Sequence, residues 1–261
     1  KISYEKEKYK FGLIGFYAKD DVNSIFYKSD SILKAQENLV ISVETGVQIT
    51  KSIKANVEYA ATSITNDTRS NRVSRKVENL SSLLFRNRSN TENYNAIKGS
   101  LDYIVGKTKV GLGYERVDAG YKTLGAYFFN NDFENITFNA SQPFIKDKVN
   151  LSMNFGLQRD DLQKNKAQNT KRLVGTFNAA YQASEKLNFT ASYTNMSNYT
   201  NVRANQFDEI NAVTAQSRAD SLRFRQLSQN ANFTATYNFG NKEKLTKNIN
   251  FNYSLAASAN E

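Results

Sequence analysis

Apolar and polar residues alternate along the chain between positions 148 and 200, where the sequence pattern is at its most regular. In the segment 149–158 the odd-numbered residues are apolar, namely Val149, Leu151, Met153, Phe155 and Leu157. The even-numbered residues are polar or small, namely Asn150, Ser152, Asn154, Gly156 and Gln158. We call each of these alternating sets a parity of the strand. The same alternation continues over 173–182 and 187–194. A period of two residues predicts β-strands that each have one apolar and one polar face.

The polar face of these strands consists mainly of Asn, Ser, Thr and Gln, which suits a water-filled interior better than an open solvent face. Strands of about ten residues with an apolar exterior and a polar interior are typical of transmembrane β-barrels. We therefore expect an all-β fold, namely an antiparallel up-and-down transmembrane β-barrel.

The lengths of the connections support this expectation. The pattern predicts eleven strands, at 8–19, 39–50, 53–65, 94–105, 108–118, 134–144, 147–158, 171–184, 187–198, 226–239 and 247–258. Short turns are expected at 50–52, 106–107, 146–147, 184–186 and 240–246, and long connections at 20–38, 66–93, 119–133, 159–170 and 199–225. Short and long connections alternate, as the periplasmic turns and extracellular loops of outer-membrane barrels do.

Six charged residues inside the predicted strands fall on the polar parity. They are Glu44, Lys54, Glu58, Lys98, Asp102 and Glu115. A Lys or Arg on the lipid-facing side at mid-depth would cost about 2–4 kcal/mol, so this placement favours a lipid-facing apolar parity. We expect these six side chains to line the lumen, where they would set the selectivity of a channel.

The composition excludes several kinds of chemistry. The chain has 261 residues and neither Cys nor His, which removes thiolate ligands, cysteine nucleophiles and the commonest general base. The adjacent carboxylates Asp160 and Asp161 lack the spacing of a calcium loop, and Asp208 with Glu209 is no better placed for catalysis. We expect a single barrel domain over 1–261 that is not an enzyme and has no cofactor or metal.

The chain has a net charge of +10, and part of this charge lies in the connection 66–93. This connection carries Arg69, Arg72, Arg75, Lys76, Arg86 and Arg88 around a group of leucines. Arginine binds phosphate through a fixed fork, so one interpretation is a surface for lipopolysaccharide phosphates or for a partner protein. The other interpretation is a solvated loop, or a short helix folded into the lumen as a constriction.

The connection within 113–136 is rich in aromatic residues, notably Tyr121, Tyr127, Phe128 and Phe129. These rings could stack on sugars or dock a partner, or they could pack against one another in an ordered loop. In the strands, aromatic residues lie on the apolar parity while Lys54 and Lys98 lie on the other. That arrangement argues against nucleic acid as a partner.

Three segments, 113–136, 141–172 ("SQPFIKDKVNLSMNFGLQRDDLQKNKAQNTKR") and 181–195 ("YQASEKLNFTASYTN"), resemble outer-membrane barrels of Bacteroidota. Barrels of this kind occur in nutrient uptake and in assemblies linked to type 9 secretion and gliding. The resemblance implies a location in the bacterial outer membrane, with membrane lipid, lipopolysaccharide and other envelope proteins as partners. The chain shows no TonB box or plug domain.

Single-chain bacterial barrels have even strand numbers, so eleven strands lead us to expect that these residues are part of a larger barrel. Two functions remain open: a pore or transport channel, and a structural subunit of a multi-protein envelope complex. A soluble β-sandwich that binds glycans is a third alternative.

Overall fold

A computed structural model describes residues 1–24, 34–74, 77–126, 130–166, 168–202, 222–241 and 245–260. Twelve β-strands fall in these ranges: β1 (Ile2–Lys6), β2 (Tyr9–Lys19), β3 (Glu37–Gln48), β4 (Ile53–Thr65), β5 (Thr91–Val105), β6 (Thr108–Val117), β7 (Phe133–Phe144), β8 (Val149–Asp160), β9 (Gln168–Gln182), β10 (Leu187–Val202), β11 (Leu222–Asn241) and β12 (Leu245–Asn260). Helical structure in the described residues is limited to a 3-10 turn at Ser81–Leu83. None of it is long and apolar enough to cross a membrane.

The strands form one sheet in which spatial order follows chain order from β1 to β12. The prediction of an all-β, antiparallel, up-and-down fold is therefore confirmed. Within the described residues β1 and β12 are the two edges of the sheet and do not pair, so the sheet is open and not closed into a barrel.

All eleven predicted strands are present, and the structure adds β1, which pairs Ile2 with Leu13 and Lys6 with Tyr9. Five residues are too few for a period-2 pattern to stand out, so β1 was not among the eleven predicted strands. The connections alternate as predicted, with β5 and β6 joined at 106–107 and β4 and β5 separated by 66–90. The predicted turn at 240–246 lies partly outside the described residues.

The chain groups into two units. Unit 1 comprises Lys1–Leu101 and Tyr114–Glu134, and unit 2 comprises Asp102–Gly113 and Asn135–Glu261.

The register in each unit gives the sheet two chemically distinct faces. In unit 1, Leu13, Val43 and Tyr59 are paired in one row across β2, β3 and β4. In unit 2 one row contains Met153, Phe177, Tyr193, Ala231 and Leu255, and the adjoining row, on the opposite face, contains Ser152, Asn178, Ser192, Asn232 and Ser254. We call these the apolar face and the polar face. The alternation seen in the sequence thus persists across neighbouring strands.

The apolar face is open to solvent. Phe11 is 50 % exposed, Phe177 46 % and Phe251 59 %, and the same face carries stacked rings such as Tyr181 and Phe189. Buried hydrophobic residues of the described chain number only five: Ala61, Ile64, Phe85, Val117 and Tyr121. Soluble monomers rarely leave more than a few hundred Å² of contiguous apolar surface uncovered. The fold therefore places its large hydrophobic side chains on a surface and not in a core.

Candidate functional site

The polar face of unit 1 brings several of the sequence-predicted charges together. Glu44 and Glu58 are register partners on β3 and β4, and Lys54 is opposite Gln48. Ser42 Oγ donates to Glu58 Oε1 at 3.3 Å. The three predicted residues on these two strands thus share one face.

Lys10 on β2 is a member of this cluster that the sequence analysis missed. Its Nζ donates to Glu44 Oε1, and Lys1 Nζ approaches Glu44 Oε2 at 3.4 Å. Two ammonium groups therefore partly neutralise the Glu44 carboxylate. Lys10 lies between Tyr9 and Phe11, so the alternation assigns it to the polar face. The other residues on that face of β2 are Gly12, Ile14, Phe16 and Ala18, so the sequence of β2 shows no clear polar face.

The remaining predicted charges lie on β5 and β6. Lys98 and Glu115 belong to unit 1, and Asp102 belongs to unit 2. A Cβ on Gly111 would lie 2.8 Å from Asp102 Oδ1 and 2.5 Å from Asn139 Oδ1. Only a glycine leaves room for these two side chains to come close to the backbone of β6.

A segment of the β6–β7 connection, residues 118–126, covers the polar face of unit 1. We call it the covering segment. Asn38 Oδ1 accepts hydrogen bonds from Thr123 Oγ1 at 3.0 Å and from the Leu124 amide at 3.1 Å. Asn38 Nδ2 in turn donates to Thr62 Oγ1 and to the Ser63 carbonyl. Asn38 is completely buried and fixes the covering segment to β3 and β4.

Further contacts extend the covering segment across four strands. Thr62 Oγ1 donates to the Lys122 carbonyl at 3.1 Å, while Lys122 Nζ contacts Asn66 Oδ1 at 2.9 Å and Glu92 Oε2 at 3.0 Å. Gly125 lies against the ring of Phe16, where an added Cβ would be 3.2 Å from the nearest ring atom. The covering segment therefore contacts β2, β3, β4 and the start of β5.

The base of the same connection is also ordered. Asp118 Oδ2 accepts from the amide and the side-chain nitrogen of Asn95, and the Asp118 carbonyl accepts from the amides of Tyr121 and Asp132. Tyr121 is only 4 % exposed. Burial, with a smaller contribution from the Glu58 carboxylate, raises the pKa of its phenol.

These contacts favour the ordered-loop interpretation for the part of 113–136 that the structure describes. The ring of Tyr121 is not presented at the surface for stacking on a sugar. Tyr127, Phe128 and Phe129, the other aromatic candidates, lie outside the described residues.

Residues 78–82 of the basic connection pack on the opposite side of the sheet in unit 1. Ser81 Oγ and Ser63 Oγ are 2.7 Å apart, and Asn93 Nδ2 donates to Glu78 Oε2 at 2.9 Å. Ser63 and Asn93 continue the parity of the apolar face. The short helix predicted as one alternative exists as the 3-10 turn Ser81–Leu83, and its Ser81 contacts Ser63 on the parity of the apolar face.

The basic residues of this connection have different environments. Arg69 forms a two-point ion pair with Asp67 at 2.8 Å, and Arg88 Nη1 donates to the Ser70 carbonyl. Arg72 and Arg86 are exposed and line a cavity of about 300 Å³ with Val73, Leu84, Phe85 and Asn87. Arg75 and Lys76 lie outside the described residues.

In unit 2, the polar face over β7–β9 forms a shallow groove of about 380 Å³. Its polar lining is Asn135, Thr137, Asn139, Asn154, Gln158, Arg172 and Thr176. The sequence pattern assigned Asn154 and Gln158 to this face but did not single them out. Amide and hydroxyl groups predominate among these side chains, and Arg172 is the one charged residue of the lining.

The carboxylates considered for catalysis have structural roles. Asp160 Oδ1 accepts from the Thr170 amide, and Asp161 Oδ1 accepts from the Lys166 amide at 2.9 Å, which closes the β8–β9 connection. Asp208 and Glu209 lie outside the described residues. The described part of the chain contains no group of three or more Asp or Glu side chains arranged to hold a metal ion.

Comparisons with known proteins identify no relative. Neither a scan against protein-family models nor a search of curated proteins finds a match to this chain.

Proposed function

We propose that this chain forms the wall of an outer-membrane β-barrel that acts as a pore or transport channel. The observation that carries the proposal is the two-faced sheet. Large hydrophobic side chains project from one face of its strands, while Glu44, Lys54 and Glu58 occupy the other.

The apolar face supports contact with lipid. Rows of Phe, Tyr, Leu and Ile on this face are 40–60 % exposed at residues such as Leu13 (40 %) and Phe251 (59 %). Transfer of apolar surface out of water stabilises by about 25 cal/mol per Å². A bilayer would cover this face without requiring a second protein layer.

The polar face supports contact with water. Its Asn, Ser and Thr side chains need hydrogen-bond partners, and hydrocarbon supplies none. A water-filled passage satisfies them at every height of the strands. Charged residues along such a passage would favour ions of opposite sign.

A second candidate function is a structural subunit of a multi-protein envelope complex. The covering segment favours it, because it occupies the polar face of unit 1 through buried Asn38 and thereby narrows any passage along β2–β5. In this case the long connections would bind partners and little or no solute would pass.

Planar-bilayer conductance of the purified full-length chain tests the proposal. We expect stable stepwise channels, and Lys54→Glu should shift the reversal potential in a salt gradient towards cation selectivity. Lys247→Glu is the matched control, since it makes the same charge change at the apolar parity of β12, where Lys247 pairs with Phe239. Its reversal potential should equal that of the unchanged chain.

Two results would contradict the channel. One is a chain that is inserted and folded but passes no current, which would favour the structural function. The other is an equal shift from Lys54→Glu and Lys247→Glu, which would mean that the polar face does not line the conducting path.

A further inference from the structure

The cavity between Arg72 and Arg86 is a built feature of the β4–β5 connection. The Val73 amide donates to the Asn87 carbonyl at 3.3 Å, and the Ser89 amide donates to the Asn71 carbonyl at 3.0 Å. These bonds hold 71–73 against 87–89. Phe85, which is 4 % exposed, forms the floor, while both arginines are at the surface.

The two arginines of this cavity are available to a ligand. Among the described residues, neither guanidinium makes an ion pair or a hydrogen bond, whereas Arg69 is held by Asp67 and Arg88 by the Ser70 carbonyl. A guanidinium binds a phosphate through two parallel hydrogen bonds. The neighbouring arginines could therefore bind one or two phosphate oxygens each without giving up an existing partner.

The position of the cavity relative to the sheet indicates which phosphate would reach it. The adjoining residues 78–82 lie on the apolar side of β4 and β5, through Ser81 on Ser63 and Glu78 on Asn93. These contacts are at the long-connection ends of the strands, beyond the apolar rows. Leu83 and Leu84 are 42 % and 75 % exposed beside the arginines. Basic and apolar groups thus adjoin at the rim of the apolar face.

We propose that this cavity binds the phosphate headgroup of an anionic lipid in the leaflet that surrounds the long connections. The inference rests on the proposed insertion of the apolar face into a bilayer. The arginines bind the phosphate while Leu83 and Leu84 contact the upper part of the acyl region. An acidic peptide would satisfy the arginines but would leave the two leucines uncovered.

Native mass spectrometry of the full-length chain in detergent micelles tests this site, with phosphatidylglycerol and phosphatidylcholine as competing probes. We expect preferential retention of phosphatidylglycerol. The double variant Arg72→Gln/Arg86→Gln should weaken it by roughly tenfold per arginine, because a hydrogen bond to a charged group contributes about that factor. Arg69→Gln is the control, since it removes one positive charge from the same connection but not from the cavity.

Two more variants separate a lipid from a free anion. Arg72→Lys/Arg86→Lys keeps the charge but loses the planar fork, so retention should be intermediate. Leu84→Ser should reduce retention of phosphatidylglycerol and leave the weak binding of inorganic phosphate unchanged. Equal effects of Leu84→Ser on both probes would contradict the lipid assignment.

The outcomes distinguish this inference from the proposed function. A chain that inserts into vesicles but retains both lipids equally, or that loses as much retention with Arg69→Gln as with the double variant, contradicts the headgroup site alone. A chain that stays in the soluble fraction without detergent contradicts both.

Discussion

Each unit has an apolar face and a polar face, and the two polar faces carry different side chains. In unit 1 the polar face has charged side chains on every strand from β1 to β6, at Glu5, Lys10, Glu44, Lys54, Glu58, Glu92, Lys98 and Glu115. In unit 2 the polar face from β8 to β12 consists mostly of Asn, Ser, Thr and Gln, and its charged residues among those described are Asp160 and Arg172.

The difference in charge accompanies a difference in burial. Most buried polar residues of the described chain belong to unit 1, including Asn38, Thr62 and Asn79, whereas unit 2 contributes Asp161 and Ser197. In unit 2 the polar contacts are long and open, such as Asn178 Nδ2 to Ser152 Oγ at 3.4 Å. The same period-2 pattern thus produces a covered, interlocked surface in one unit and a solvated ladder of amides in the other.

The largest expected effect concerns the apolar face, a feature that both units have. Phe177→Arg on the apolar face should destabilise the lipid-inserted chain by about 2–4 kcal/mol, since a guanidinium at mid-depth in lipid is costly. Asn178→Arg on the adjoining polar position should change stability by less than about 0.5 kcal/mol. Urea titration in vesicles measures both, and Val57→Arg with Asn56→Arg repeats the test in unit 1. Equal costs on the two faces would contradict the assignment of lipid and water sides.

The next prediction concerns the polar faces themselves. Asn38→Ala should cost about 1–3 kcal/mol, because the fully buried Asn38 side chain hydrogen-bonds Thr62, Ser63, Thr123 and Leu124, and alanine loses these bonds. Asn178→Ala in unit 2 should cost less than about 0.5 kcal/mol, because water replaces its long hydrogen bond. Urea unfolding measures both. If the two substitutions lower the free energy of unfolding equally, the contrast between a covered and a solvated polar face is wrong.

A smaller effect should appear at alkaline pH. Burial raises the pKa of Tyr121 above the ordinary value of 10.0, so the folded chain keeps the phenolic proton where the unfolded chain loses it. This contribution to stability is complete below pH 10 and is lost as the pH rises through the folded-state pKa. Relative to the unchanged chain, Tyr121→Phe should lose less stability between pH 9 and pH 11 in chemical unfolding. Tyr193→Phe removes an exposed phenol of unit 2 and is the control. Identical profiles of stability against pH for the unchanged chain and both variants would contradict the burial of Tyr121.

Much of the fold could be predicted from the sequence, because the period-2 pattern is a local property of each strand. The strands, their faces and the alternation of short and long connections followed from residues such as Leu151, Asn154 and Tyr193. Charges such as Glu44 and Glu58 could be assigned to the polar face for the same reason, since parity is preserved along a strand.

The docking of the loops could not be predicted in this way. Asn38 and Thr123 are 85 residues apart, and no local pattern indicates that they meet. The basic connection was the one expected to fold onto the polar face, whereas in the structure the aromatic connection packs there through Thr123 and Leu124. Arg69 and Arg72 also look alike in the sequence. Only the structure shows that Arg69 forms an ion pair with Asp67, whereas Arg72 lines the cavity.

The smallest expected effect compares exposed ion pairs in the two units. Lys122 and Glu92 are 3.0 Å apart with side chains 43 % and 44 % exposed, and Lys107 and Asp147 are 66 % and 52 % exposed. Exposed pairs contribute only about 0.2–1 kcal/mol, and salt screens them. Lys122→Met should therefore lower stability slightly at low salt and not at high salt, while Lys107→Met should have no measurable effect in urea unfolding at either salt concentration. Lys122 also donates a hydrogen bond to Asn66. A loss of stability that persists at high salt would therefore show that this hydrogen bond holds the covering segment more than the ion pair does. In that case amide hydrogen bonds, and not charge, keep the polar face of unit 1 covered.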